Sequence, residues 1–123
     1  MTADPINVLR ILVVEDEMLV AMFIEDMLKD LGCDVIGPAA NVEQALSLIQ
    51  SAGVIDAAVL DVNLNGCKSY PVADELAQRN IPFVFATGYE KRSLPSQYIS
   101  TPFLQKPFTE GDLKDSLIQL TTA

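Results

Sequence analysis

The sequence predicts an α/β fold in which a parallel sheet is covered by helices on both faces. Short apolar runs recur along the chain, and stretches of helical periodicity lie between them, each with its own start or stop signal. With 123 residues, half of them hydrophobic, the chain can bury one core, and a single domain over residues 1–123 is expected.

Val8-Leu9-Arg10-Ile11-Leu12-Val13-Val14 is β-branched and nearly continuous in apolar residues, the pattern of a strand buried on both faces. From Met18 to Leu31 the period turns helical, with Val20, Phe23, Met27 and Leu31 at i, i+3, i+7 and i+11. Gly32 ends that helix where a left-handed residue is wanted. Val35-Ile36-Gly37 is a weaker second strand. Asn41 caps the next helix, with Gln44 three residues on, and Val42, Ala45, Leu46 and Ile49 form its buried face.

Ala57-Ala58-Val59-Leu60 is the third strand and runs straight into Asp61. A helix from about Pro71 to Arg79 has proline in its first turn. Phe83-Val84-Phe85-Ala86 and Phe103-Leu104-Gln105 are the fourth and fifth strands. Thr109 caps the last helix, with Asp112 three on and Leu113, Leu117 and Leu120 facing inward. Between the last two strands, Tyr89 to Thr101 holds Pro95 and several serines with little amphipathic pattern, so a short or irregular fourth helix is expected.

The balance of charge narrows the function. Eight Lys and Arg stand against 17 Asp and Glu, a net −9, and such a surface repels phosphate backbones and anionic lipid. Neither nucleic acid nor membrane is an expected partner. No histidine is present and the two cysteines are Cys33 and Cys67, which removes Cys/His zinc sites and histidine-based triads. The cysteines are expected as reduced thiols, although spacing alone leaves a disulfide open. Met1 to Asn7 lacks a basic start and an apolar stretch, and the longest apolar run, Met18 to Ile24, is too short to span a bilayer. A cytoplasmic protein is expected.

In an open parallel sheet, ligands sit beyond the carboxyl ends of the strands. Glu15 and Asp16 follow the first strand, Asp61 the third, Thr87 the fourth and Lys106 the fifth. Three carboxylates at one sheet end repel: at ~5 Å and an effective dielectric of ~20, each pair costs about 3 kcal/mol. A shared proton or a cation must offset that, and an all-oxygen set suits a hard ion such as Mg²⁺. A carboxylate can also attack a phosphoryl group and become an acyl phosphate, helped by an ammonium, a hydroxyl and a metal. Taken singly, Lys106 reads as a surface lysine and Thr87 as an ordinary strand residue. Gathered at strand ends, they read as a reaction site.

Val13-Val14-Glu15-Asp16-Glu17, Val59-Leu60-Asp61-Val62-Asn63-Leu64, Ala86-Thr87-Gly88 and Gln105-Lys106-Pro107-Phe108 together resemble the receiver domain of bacterial response regulators over essentially the whole chain. The resemblance implies a flavodoxin-like five-stranded sheet of order 2-1-3-4-5. It implies Asp61 as phospho-acceptor, Glu15 and Asp16 as the acidic pair for Mg²⁺, and Asn63 as a metal ligand through its backbone carbonyl. Thr87 and Lys106 match the groups that bind phosphoryl oxygens, and the Lys106–Pro107 bond is expected to be cis. Phe103 occupies the position of an aromatic switch that turns inward when Thr87 moves; a plain core aromatic is the competing reading. Glu15 stands where Asp is commoner in the family, and the Tyr89–Thr101 segment is short for it.

Pro82-Phe83-Val84-Phe85-Ala86-Thr87-Gly88-Tyr89 further resembles the signature of the FAT GUY receivers, mostly stand-alone proteins of histidine kinase phosphorelays. By that resemblance Tyr89 lies where a hydrolytic water would approach and slows loss of the phosphoryl group. The implied function is a phosphorylation switch: a sensor histidine kinase or histidine phosphotransfer protein donates, and a downstream protein reads the result. Self-phosphorylation from small donors and autodephosphorylation would be its only enzymatic acts. Two other classes compete. A phosphatase working through an aspartyl phosphate would carry its nucleophile after the first strand with a second Asp two positions on, whereas position 63 is Asn. A degenerate receiver would serve only as an interaction module, and a flavin site would need a phosphate loop after the first strand.

Overall fold

The computed structural model describes residues 8–88 and 94–122. Five parallel strands form one sheet: β1 (Arg10–Val14), β2 (Asp34–Ala39), β3 (Ala57–Leu60), β6 (Phe83–Thr87) and β7 (Phe103–Gln105), in the spatial order β2-β1-β3-β6-β7. Counted along the sheet strands alone, that is 2-1-3-4-5, the expected flavodoxin-like order. A separate two-residue ladder, β4 (Asn63–Leu64) with β5 (Cys67–Lys68), is antiparallel and was not foreseen.

Alternation along each strand divides the core into two layers. Leu12, Val14, Ala58, Leu60 and Phe85 face α2 (Val42–Ser51) and α3 (Tyr70–Gln78). Ile11, Val13, Ala57, Val59, Val84 and Ala86 face α1 (Met18–Asp30) and α4 (Glu110–Thr121). Every residue of β3 is buried, as a central parallel strand covered on both faces must be.

The helix ends follow their sequence signals. Asn41 accepts from the Gln44 N–H at 2.8 Å, while the Gln44 carboxamide reaches back to the Ala40 N–H. At α4 the capping box is complete: Thr109 Oγ1 accepts from Asp112 N–H, and the Asp112 carboxylate from Thr109 N–H. Gly32 has φ +87°, the left-handed stop.

In α1 the fully buried line is Ala21, Ile24 and Leu28; of the helical-period residues, Val20, Met27 and Leu31 pack partly buried against the same layer and Phe23 does not. Positions 18–24 are apolar at every residue, so periodicity there does not single out a face. The sheet takes the side whose small Ala21 allows close approach and leaves Phe23 63% exposed. Strand β2 also runs further than Val35–Gly37, continuing through Gly37-Pro38, which an edge strand tolerates because one row of its amides needs no partner. Gly37 has φ +96°, and a Cβ there would lie 2.8 Å from Ala39 N and 3.0 Å from Val13 O, so no other residue fits without moving backbone.

The irregular connection before β7 is as expected. Among its described residues only a 3₁₀ turn forms, Ser96–Tyr98. Aromatic packing takes the place of a helix there: the buried Tyr98 ring stacks on Tyr70 at 5.2 Å, meets Phe85 edge-on at 5.5 Å, and its hydroxyl donates to Asp74 of α3. The Lys106–Pro107 bond is cis.

The buried face of α1 gives the first prediction. Leu28→Ala should cost roughly 2–5 kcal/mol in urea denaturation, since the side chain is fully buried. Phe23→Ala should cost less than about 1 kcal/mol.

Candidate functional site

Three backbone hydrogen bonds set the carboxyl ends of the strands. Glu15 N–H donates to Ala39 O at 2.9 Å, Asp61 N–H to Val14 O at 3.0 Å, and Lys106 N–H to Thr87 O at 2.8 Å. Glu15, Asp61 and Lys106 are therefore each the first residue past a rung of the ladder. Their side chains meet at the carboxyl edge of the sheet because the strands stop in register there.

An open cleft of about 360 Å³ lies at that edge, lined by Asp16, Glu17, Asp61, Asn63, Thr87, Gly88 and Lys106. Carboxylate oxygens of Glu15, Asp16 and Asp61 lie within 4.8 Å of one another. Lys106 Nζ bonds to Glu15 Oε1 and sits 3.2 Å from Asp61 Oδ2, so one ammonium bridges two of the three acids. Asp61 Oδ1 faces the Asn63 N–H at 3.4 Å, and Glu15 Oε2 accepts from Glu17 N–H at 3.1 Å. Glu15 and Thr87 are each 2% exposed and Asp61 8%, while Asp16 is half-exposed.

The five residues expected at strand ends meet here, with Asp16, Asp61, Thr87 and Lys106 lining the cleft and Glu15 buried beside them, and Asn63, expected by resemblance, lines it too. Phe103 pairs with Phe85 two residues below the Thr87–Gln105 rung, and its ring is half-buried against the α2/α3 layer. Tyr89 lies outside the described residues. Sequence reasoning missed Asn65, whose N–H donates to Asp16 Oδ2 at 2.9 Å. Its signal was available: Asn65-Gly66 is the dipeptide of a two-residue hairpin turn, and both residues have positive φ, 53° and 90°.

The donors are oxygens only and cluster within reach of one ion, so the set fits a hard divalent cation such as Mg²⁺. Burial pushes the Glu15 carboxyl up to about 7; the Lys106 and Glu17 hydrogen bonds pull it down but do not win, and the Asp61 charge adds to the rise. Burial alone would lower the Lys106 ammonium, but its bonds and charge attraction to Glu15 and Asp61 carry it above its ordinary value.

Both shifts make stability fall as pH rises, but in different windows. A carboxyl raised from 4.5 to about 7 contributes stability that is present below 4.5 and lost as pH rises through about 7. The raised Lys106 contributes fully below 10.5 and is constant across that window. Metal-free protein should therefore lose stability as pH rises from 4.5 to about 7 in urea titrations, and Glu15→Gln should flatten that slope.

A family model described as response regulator receiver domain matches residues 11–118. SdrG from Sphingomonas melonis Fr1, a solution structure, superposes with a TM-score of 0.82 at 47% identity, covering 98% of each chain. A structure of its BeF3-activated conformation gives 0.79 at the same identity. The receiver domain of Erythrobacter litoralis PhyR gives 0.82 at 28% identity, over 93% of this chain and 90% of that one. Among curated proteins, the transcriptional regulatory protein PdtaR of Mycobacterium tuberculosis is 30% identical over 108 residues, 85% of this chain and 52% of that protein. The chain spans about half the length of the curated relatives it matches. No helix among the described residues is long and apolar enough to cross a membrane. Fold, strand-end acids, bridging lysine and sequence match agree: the chain belongs to the response regulator receiver family, whose members are phospho-acceptor switches of two-component signalling.

Proposed function

We propose that Asp61 accepts a phosphoryl group from a phosphohistidine donor and that a protein partner reads the change. The observation that supports this best is the bridging Lys106, which holds the candidate acceptor and the buried Glu15 around one ammonium beside the Thr87 hydroxyl. In the transfer an Asp61 oxygen attacks phosphorus, the phosphorus–nitrogen bond of the donor breaks, and the departing imidazole takes up a proton. A carboxylate is a weak nucleophile, so the site works by positioning and by neutralising charge.

Glu15, Asp16 and Asp61, with the backbone carbonyl of Asn63, would hold Mg²⁺, which supplies neutralisation of the phosphoryl oxygens. Once Asp61 is phosphorylated, Lys106 exchanges its Asp61 partner for a phosphoryl oxygen and Thr87 donates its hydroxyl to another. Phe103, half-buried beside the Thr87 strand, then turns inward, and a downstream protein recognises the altered face. Tyr89 shields the acyl phosphate from water, in keeping with the FAT GUY signature Pro82–Tyr89. The setting is cytoplasmic.

The donor is a sensor histidine kinase or a histidine phosphotransfer protein, docking on the groove formed by Val20, Phe23, Ile24, Met27, Pro107 and Phe108. That groove shares Lys106 with the reaction site, and the neighbouring Met18, Leu19 and Met22 are exposed. Apolar side chains rimming a reactive cleft suit the helical face that carries a phosphohistidine.

Incubation with acetyl phosphate and Mg²⁺ should add one phosphoryl group by intact mass, dependent on the metal and absent in Asp61→Ala. Absence of the adduct, with no beryllofluoride complex either, would leave only an interaction module. After donor removal, Tyr89→Ala should lose the group faster than the parent. Phe23→Ala should slow transfer from a phosphorylated histidine phosphotransfer protein at least severalfold and leave the acetyl phosphate reaction unchanged; equal slowing of both would remove the docking role.

A further inference from the structure

We infer that the β4–β5 hairpin is a positioning element for the metal site: the Asn65 backbone N–H holds the Asp16 carboxylate in the orientation that takes Mg²⁺. This rests on the reading of Asp16 as a Mg²⁺ ligand. The hairpin follows Asp61 directly and folds over the cleft edge, where two of its N–H groups, two residues apart, face two different acids. Asn63 N–H faces Asp61 Oδ1 at 3.4 Å, and Asn65 N–H bonds Asp16 Oδ2 at 2.9 Å.

Asp16 has particular need of such a partner. Glu15 and Asp61 are bridged by Lys106, whereas Asp16 is the half-exposed member of the three and takes its hydrogen bond from the hairpin instead. Repulsion from two neighbouring acids favours rotamers that carry it into solvent. A backbone donor resists this at low entropic cost, provided that the backbone itself is fixed.

The hairpin is fixed at both ends. Val62 and Leu64 are buried in the α2/α3 layer, and Ser69 N–H donates to Val62 O at 2.8 Å across its base. Pairing of Asn63 with Lys68 and Leu64 with Cys67 closes it, and the turn depends on positive φ at Asn65 and Gly66. A carboxylate has lone pairs to spare after one such bond, so the Asn65 contact orients Asp16 without consuming its capacity for a cation. Asn65 therefore acts through Asp16, and its side chain matters only by tolerating the left-handed turn.

The test compares Asn65→Val, whose β-branch disfavours positive φ, with Asn65→Gly, which keeps both the turn and the N–H. Mg²⁺ alone is titrated calorimetrically into the metal-free full chain. The dissociation constant should rise about tenfold in Asn65→Val and stay within about twofold in Asn65→Gly, the scale for loss of an outer hydrogen bond to a metal ligand. In the acetyl phosphate reaction the Mg²⁺ needed for half-maximal rate should rise by the same factor, with the rate at saturating Mg²⁺ unchanged. An unaltered Mg²⁺ affinity in a folded Asn65→Val protein overturns the inference, as does a slower saturated rate with an unaltered Mg²⁺ requirement. Should Asn65→Val not fold, the Asn65 amide decides: its proton resonance should move upfield and exchange faster with solvent in Asp16→Ala, and an unmoved, equally protected amide rejects the contact. Unchanged Mg²⁺ affinity in Asp16→Ala would instead overturn the ligand reading, and this inference with it.

Discussion

The structure depends on parallel strands that stop in step. The last rungs of the ladder, Asp61 N–H to Val14 O and Lys106 N–H to Thr87 O, are ordinary backbone hydrogen bonds. They nevertheless decide which residues first leave the sheet, and those residues gather at the candidate site. A slip of one residue in β3 would turn Asp61 toward the other face and replace it at the edge with Leu60 or Val62. The packing of β3, buried at every position between two helical layers, is what makes that slip expensive.

The same edge concentrates charge that the fold tolerates only in part. Lys106 bridges Glu15 and Asp61, and burial drives the Glu15 carboxyl toward neutrality. Asp16 lies outside that bridge and takes a backbone amide from the hairpin. One residual negative charge cluster thus remains poised for a cation or a phosphoryl group. Stability and function pull in opposite directions here, since whatever quiets the site without a ligand would also weaken its hold on one.

Much of this was legible in the chain because its signals are local. Asn41 and Thr109 announce helix starts through short-range hydrogen bonds, and Ala57–Leu60 is a strand by its unbroken apolar run. The strand-end positions of Glu15, Asp16, Asp61, Thr87 and Lys106 follow from those strands alone. What failed was also local in origin. Seven apolar residues in succession, Met18 to Ile24, carry no periodicity, so which of them is fully buried in α1 could not be read there. The Asn65-Gly66 turn was readable but joins strands of two residues each, below the length at which alternation can be seen.

The sequence by itself determined the order of elements, the sheet class and the residues that stand at its carboxyl edge, because propensity, capping and apolar runs act over a few residues. Only the tertiary structure decided which acids share the lysine, which is left to a backbone amide, and which side of α1 stays exposed beside the site. Those outcomes depend on contacts between Glu15 and Lys106, Asp16 and Asn65, or α1 and the sheet, each spanning segments distant in the chain. Burial and distance set their energies, and neither is written at any single position.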